Sequence, residues 1–145
     1  MNPPLRILVL EDEDSIRRMI SALVQARGFE VLAVGTGAKA IDEAAKLFPD
    51  VAILDLMVPG AYDGFEVIQR LRAMEVTRAK IPIIVISALD DAKSRERATA
   101  AGATIFFVKP FSAIALLKEL EAVKSRSASQ MSLRAVRPEE GEPKE

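Results

Sequence analysis

Five short apolar runs, each separated from the next by a longer amphipathic stretch, constrain the fold of this chain more than any other feature. The runs are rich in Val, Ile and Leu and are followed by turn-forming or acidic residues, a pattern typical of β-strands. They occupy residues 5–10, 30–34, 51–54, 83–86 and 105–108. Strict alternation of strands and helices predicts right-handed crossovers and a parallel sheet with helices on both faces. We therefore predict a doubly wound α/β fold.

The stretches between these runs place apolar side chains at helical spacing, which is typical of helices that bury one face. The stretch from Asp90 to Ala101 differs because its apolar face consists of alanines, with charged side chains between them. We expect the helix there to be weakly anchored, which makes it the candidate mobile helix. The last helix is predicted to begin near Ser112.

One domain and a polar tail account for the 145 residues. A chain with 50% hydrophobic residues can bury a core of ordinary size, and we assign residues 1–124 to this domain. Residues 125–145 are polar and end in a segment rich in Pro and Glu, so we predict a disordered C-terminal tail. The sequence leaves open whether this tail belongs to a longer protein.

Charge and composition exclude several classes of function. The formal net charge is −1, so direct binding to nucleic acid is not expected. The chain has no Cys and no His, which excludes disulfides, thiolate metal sites and catalysis by its own imidazole. The start lacks a secretory pattern, and no apolar stretch approaches the ~20 residues that span a bilayer. We therefore expect a cytoplasmic protein that does not bind membranes.

Polar residues stand at the carboxyl ends of four of the five runs. Glu11 and Asp12 follow the first run, Asp55 the third, Ser87 the fourth and Lys109 the fifth. The carboxyl ends of parallel strands meet at one edge of the sheet, where α/β folds bind their ligands. Two unit charges about 4 Å apart repel by about 4 kcal/mol at an effective dielectric of about 20, so the three carboxylates need a cation. Hard oxygen donors favour Mg²⁺ or Mn²⁺.

Taken together, these residues resemble in order and spacing the receiver domain of response regulators from bacterial two-component (phosphorelay) systems. The resemblance covers roughly Leu5 to Val123. It is carried by the acidic pair, by Asp55-Leu-Met-Val-Pro-Gly with Asp-Gly-Phe-Glu-Val soon after, by Ser87-Ala88, and by Lys109-Pro110-Phe111. It implies a flavodoxin-like, five-stranded sheet with strand order 2-1-3-4-5, and a cis peptide bond before Pro110.

The resemblance implies that Asp55 accepts a phosphoryl group from a phosphohistidine on a sensor histidine kinase or a histidine phosphotransfer protein. Mg²⁺ or Mn²⁺ would be held by Asp12, Asp55 and the backbone carbonyl of Met57, with Glu11 acting mostly through bound water. Lys109 would stabilise negative charge on the phosphoryl oxygens. Such a protein assists only its own phosphorylation and dephosphorylation and is not an enzyme in the ordinary sense.

The resemblance also implies how the signal would be read. Ser87 and Lys109 would bond to the phosphoryl oxygens, and Phe106 would pack inward when Ser87 moves. Because Phe106 has no hydroxyl, it can signal only by packing. We expect the face formed by the fourth helix, fifth strand and fifth helix to bind a downstream protein target, with no attached effector domain. A homodimer is left open.

Three features depart from the family pattern. The loop Gly60-Ala-Tyr-Asp-Gly64 has one residue more than usual, and Tyr62 could cover the site, touch a partner or be an exposed loop aromatic. Glu11 replaces the commoner aspartate. In the family, the positions of Met57 and Leu89 border the attacking water. Both residues are apolar here, which predicts slow self-hydrolysis of the phosphoryl group.

Other interpretations stay open at this point. Glu11 and Asp12 could simply cap the next helix, Ser87 could be a turn hydroxyl, and Lys109 a solvated charge. One alternative function is that of a degenerate receiver, which would act as a phosphorylation-independent interaction module. Another is a Mg²⁺ phosphohydrolase with an aspartyl nucleophile. That chemistry usually needs a second aspartate two positions after the nucleophile, and Met57 stands there.

Overall fold

The computed structural model of the chain describes residues 3–74 and 80–136, and for residues 127–136 it describes the backbone alone. Its elements alternate strictly between strand and helix. They are β1 (Arg6–Leu10), α1 (Asp14–Gln25), β2 (Glu30–Val34), α2 (Gly37–Lys46), β3 (Val51–Leu54), α3 (Gly64–Ala73), β4 (Ile83–Ser87), α4 (Ala92–Ala101), β5 (Ile105–Val108) and α5 (Ala113–Val136). Each predicted strand is present, with its ends within one residue of the predicted ones.

The five strands form one parallel sheet in the order β2-β1-β3-β4-β5. This confirms the predicted fold class and topology. The register aligns the carboxyl ends of the strands: Leu10 pairs with both Val34 and Leu54, and Ser87 pairs with Val108. The residues that follow these strand ends therefore emerge side by side at one edge of the sheet.

The core lies on both faces of the sheet, because successive side chains of a strand point to opposite faces. Leu8 and Leu10 belong to a buried cluster that includes side chains of α2, α3 and α4. Ile7 and Val9, of the opposite parity, are also buried. Helix α1 lies against β1 and β2 and buries Ile20 and Val24. β4 is buried along its whole length, as expected for a strand near the centre of a parallel sheet.

Helix α4 buries only Ala98 completely, in line with the weak apolar anchoring expected from its alanine-rich face. Two of its charged side chains are nevertheless not simply solvated. The guanidinium carbon of Arg97 lies 3.8 Å from the ring centre of Phe65, and that of Arg95 lies 4.9 Å from the ring centre of Phe106. These cation–π contacts, which sequence periodicity did not indicate, add to the attachment of α4.

The chain divides into two compact units at the boundary between Phe111 and Ser112. The first contains the whole sheet and helices α1 to α4, and the second contains α5. Within the second unit, α5 continues to Val136. Residues 112–137 contain no Gly or Pro, and many have high helix propensity, which favours a helix there. The disorder of the tail stays a prediction.

The last part of the predicted tail, residues 137–145, lies outside the described residues. Among the helices that the structure describes, none has the length and apolar character needed to cross a lipid bilayer.

Candidate functional site

The predicted site residues meet at the carboxyl edge of the sheet. The backbone N–H of Asp55 donates to the carbonyl of Leu10 over 3.0 Å, and that of Lys109 donates to the carbonyl of Ser87 over 2.9 Å. These bonds extend the strand pairing by one residue past β3 and β5. The positions of Asp55 and Lys109 are therefore set by the sheet itself rather than by a mobile loop. The peptide bond between Lys109 and Pro110 is cis, as expected.

Three carboxylates form the acidic part of the site. One oxygen from each of Glu11, Asp12 and Asp55 lies within 4.8 Å of the other two. Glu11 and Asp55 are 2% and 5% exposed, whereas Asp12 is exposed, so solvent reaches the cluster from the Asp12 side. Oxygen donors at this spacing suit a small hard cation such as Mg²⁺ or Mn²⁺. The predicted juxtaposition of these acids is thus confirmed.

The ammonium of Lys109 neutralises the two buried acids. Its Nζ lies 2.9 Å from Oε1 of Glu11 and 2.9 Å from Oδ2 of Asp55. Burial alone would lower the pKa of Lys109, but the hydrogen bonds to Asp55 and Glu11 outweigh that effect, so its pKa is raised. Lys109 is therefore a charged, partnered group at the site and not a solvated surface lysine.

The two carboxylate oxygens of Glu11 have different partners: one is paired with the ammonium of Lys109, and the other accepts a backbone hydrogen bond. Its Oε2 accepts a hydrogen bond from the backbone N–H of Glu13 over 3.1 Å. Burial raises the pKa of Glu11, and the bonds to Lys109 and Glu13 offset only part of this effect. Neither Glu11 nor Asp12 stands at the N-cap position of α1, which is occupied by Glu13, a residue whose side chain makes no cap hydrogen bond.

The two carboxylate oxygens of Asp55 have separate partners. Oδ1 accepts from the backbone N–H of Met57 over 3.1 Å, and Oδ2 accepts from Lys109. The carboxyl group is therefore fixed in orientation. Each of its oxygens keeps a further lone pair for a metal or a phosphorus atom.

Gly64 allows α3 to begin directly against the backbone of Asp55. A Cβ at this position would lie 2.3 Å from the Asp55 carbonyl oxygen and 2.4 Å from Cα of Leu56. The N–H of Gly64 also donates to the Leu56 carbonyl over 2.9 Å. This close approach of two backbones was not predicted, because nothing local in the sequence indicates it.

Ser87 and Phe106 are the two residues that the sequence analysis expects to transmit the signal from the phosphoryl group. Ser87 is fully buried, and its Oγ accepts the backbone N–H of Leu89 over 3.3 Å, which is the behaviour of a turn hydroxyl. Phe106 is half-buried and packs against the core cluster, with Arg95 over its ring. In this structure both side chains have structural partners.

In the β3–α3 loop, Tyr62 is half-buried rather than exposed. A Cβ at Gly37 would lie 2.2 Å from the Tyr62 carbonyl oxygen, so the loop rests on the first residue of α2. The guanidinium of Arg70 covers the tyrosine ring at 4.4 Å and is bound to Glu66 over 3.0 Å. The loop is thus tied to α2 and α3, and the interpretation of Tyr62 as an exposed loop aromatic is wrong.

Residues 7–121 match the family described as "Response regulator receiver domain". The sensory transduction protein RegX3 of Mycolicibacterium smegmatis is 34% identical over 122 residues, which are 84% of this chain and 51% of that protein. The phosphate regulon transcriptional regulatory protein PhoB of Escherichia coli is 33% identical over 121 residues, which are 83% and 52% of the two chains.

The chain thus spans about half the length of the curated relatives it matches. Among solved structures, the chemotaxis protein CheY4 of Vibrio cholerae is similar with a TM-score of 0.75 and 33% identity. That similarity covers 83% of this chain and 98% of CheY4. The likeness therefore extends over nearly the whole of a receiver domain.

Proposed function

The chain belongs to the family of response regulator receiver domains, and on that premise we propose that Asp55 is its phosphoacceptor in a phosphorelay. Receivers are signalling modules rather than classical enzymes, and membership of the family implies a histidine kinase as partner. The donor would be a phosphohistidine on a sensor histidine kinase or on a histidine phosphotransfer protein. The observation that carries the proposal is the meeting of Glu11, Asp12 and Asp55 beside the ammonium of Lys109.

The metal would be held by side chains of Asp12 and Asp55 and by the backbone carbonyl of Met57, with Glu11 bonded to metal-bound water. Mg²⁺ would supply positive charge to the phosphoryl oxygens during transfer, and Mn²⁺ could replace it. Two observations support this assignment. Carboxylate oxygens are the donors that these ions prefer, and the exposed Asp12 gives the ion a route from solvent.

In the transfer step, a carboxylate oxygen of Asp55 forms a bond to phosphorus while the bond between phosphorus and the donor imidazole nitrogen breaks. The electron pair of the broken bond stays with that nitrogen. The fixed orientation of the Asp55 carboxylate limits the directions from which phosphorus can approach. Lys109, already at 2.9 Å from Asp55, would stabilise the negative charge on the phosphoryl oxygens without moving far.

Readout would begin at Ser87. Its hydroxyl, now bonded to the N–H of Leu89, would turn to a phosphoryl oxygen and draw the loop after β4 inward. Phe106 would then pack further inward, which changes the surface that α4 and β5 present. We propose that this surface binds a downstream protein target, and that the same surface can support a homodimer.

Labelling with a small phosphodonor tests the phosphoacceptor assignment. Incubation with radiolabelled acetyl phosphate and Mg²⁺ should give one stable label per chain, which chelation of the metal abolishes. Asp55→Asn should lose the label. Asp50→Asn is the matched control, because Asp50 lies at the opposite end of β3, where its carboxylate accepts the N–H of Arg6 over 2.8 Å.

The same experiment separates the alternatives. Wild-type chain that takes up no label would indicate a phosphorylation-independent interaction module. Rapid release of phosphate with continuous consumption of the donor would indicate a phosphohydrolase. Label retained in Asp55→Asn would contradict the assignment of the phosphoacceptor.

A further inference from the structure

Arg17, in the first turn of α1, reaches back onto the acidic loop between β1 and α1. Its Nη1 donates to the carbonyl oxygen of Glu11 over 2.9 Å and, in a longer contact of 3.4 Å, to that of Asp12. Its Nη2 forms an ion pair with the carboxylate of Asp14. The side chain is 23% exposed, so it is held by the loop rather than extended into solvent. One guanidinium therefore bonds two residues of the loop and the first residue of α1.

The loop needs such a partner because residues 11–14 are four consecutive acids. Their mutual repulsion favours a loop that opens and carries Glu11 and Asp12 away from Asp55. Lys109 offsets this charge at the buried side of the cluster. Arg17 offsets it from the α1 side, and its planar fork also fixes the direction of two successive carbonyl groups.

The end of β2 completes the hold on the loop. The N–H of Glu11 donates to the carbonyl of Val34 over 3.1 Å. At the next residue, Gly35, a Cβ would lie 3.2 Å from Nη1 of Arg17, so the absence of a side chain at Gly35 leaves space for the guanidinium. The backbone of Glu11 is thus bonded at its N–H by β2 and at its carbonyl by Arg17.

We propose that Arg17 is a positioning residue for the metal centre. It does not contact the reacting atoms. It keeps the backbone of Glu11 and Asp12 in the orientation that points both carboxylates at Asp55, so that the cation meets three ligands already in place. This inference rests on the proposed function, because it concerns the metal of the same site. Loss of a group that orients metal ligands typically weakens metal binding by about 10-fold to 100-fold.

The direction in which the affinity for the cation changes distinguishes this positioning role from a purely electrostatic effect of the Arg17 charge. Removal of a positive charge near a cation site should tighten the binding of the cation, or leave it unchanged in salt. If Arg17 positions the ligands, its removal should instead weaken binding. Arg18 is the matched control, because it is the adjacent residue of the same helix, carries the same charge and is exposed.

The test is the Mg²⁺ dissociation constant of the full chain, measured by isothermal titration calorimetry without any phosphodonor. Arg17→Ala should raise the constant roughly 10-fold, whereas Arg18→Ala should leave it unchanged or lower it slightly. Arg17→Lys keeps the positive charge and perturbs the fold less than Arg17→Ala, but lysine lacks the planar guanidinium. We expect Arg17→Lys to raise the Mg²⁺ dissociation constant severalfold. Thermal unfolding in the absence of Mg²⁺ measures any structural effect separately.

An unchanged or lower dissociation constant in either Arg17 variant would overturn the positioning role alone and leave the proposed function intact. An equal loss of Mg²⁺ affinity in Arg18→Ala would also overturn the positioning role, because the loss would then not depend on the hydrogen bonds of the Arg17 guanidinium. A wild-type chain that binds no Mg²⁺ would overturn both the positioning role and the metal in the proposed function, although labelling of Asp55 can be tested independently.

Discussion

The ammonium nitrogen of Lys109 lies 2.9 Å from a carboxylate oxygen of Asp55, although the whole of β4 separates the strands that these residues follow. The same nitrogen is equally close to Glu11, beyond β3. One cation therefore holds two buried acids that belong to different strands. Lys109 is the counterion of both acids in this structure.

Removal of this cation should destabilise the metal-free protein. Lys109→Met leaves two buried carboxylates without their common partner, and we expect the free energy of unfolding to fall by about 2–3 kcal/mol. Urea denaturation measures this change, and added Mg²⁺ should restore part of it, because the ion can replace the lost charge. Lys93→Met, at an exposed lysine of α4, should change stability by no more than about 0.5 kcal/mol. Equal losses in both variants would contradict the pairing.

The contribution of Lys109 should disappear in alkali. The folded state raises the pKa of Lys109 above its ordinary value of 10.5, because its hydrogen bonds to Asp55 and Glu11 outweigh burial. A raised pKa of a base stabilises the fold fully below the unfolded pKa, and this stabilisation is lost as the pH rises through the folded pKa. The difference in unfolding free energy between wild type and Lys109→Met should be constant from about pH 8 to pH 10 and shrink above that range. A difference that does not change with pH would contradict the prediction.

Gly64→Ala should damage the site through sterics. The added Cβ would meet the backbone of Asp55 and Leu56, which cannot move without disturbing β3, so we expect a loss of about 2–3 kcal/mol in stability and slower labelling of Asp55. Gly60→Ala is the control. Gly60 has a φ of 105°, and no described heavy atom lies within 4 Å of an added Cβ, so only the backbone conformation is penalised. Labelling should be slowed in Gly64→Ala and unchanged in Gly60→Ala.

Met57 should slow the loss of the phosphoryl group. Its side chain is 57% exposed, so a polar replacement costs little core packing. Met57→Glu would place a group that can orient or deprotonate water beside Asp55, and we expect the half-life of the label to shorten roughly 10-fold or more. Met19→Glu, at a residue of α1 that is 44% exposed, tests whether an added charge elsewhere has the same effect. An unchanged half-life in Met57→Glu would contradict this role for residue 57.

The strands and the meeting of Glu11, Asp12, Asp55 and Lys109 at one sheet edge were predictable from local patterns, whereas the strand order was expected from the family resemblance alone. Continuous apolar runs identify buried strands, and residues at their carboxyl ends must share one edge of a parallel sheet. Contacts between residues distant in sequence leave no such pattern. Arg72, for example, donates to the carbonyl of Gly102 over 2.8 Å and 3.0 Å, across 30 positions.

The supporting residues of the site were missed for related reasons. The need for glycine at positions 37 and 64 follows from backbones that touch only in the folded chain. Arg17 did leave a signal, since four consecutive acids require a nearby cation and it is the first basic residue after them. For residues 125–136 the two sequence signals differ: their polar composition indicates disorder, whereas their helix propensity agrees with the bounds of α5.

The separation of 54 positions between Asp55 and Lys109 bears on the protein during its synthesis. A nascent chain exposes its acids early, but it lacks the ammonium until residue 109 has left the ribosome. Premature termination between residues 55 and 109 would yield a fragment that contains Asp55 but lacks Lys109. We expect such a fragment to take up no label from acetyl phosphate, because it lacks the cation that neutralises Asp55 and Glu11.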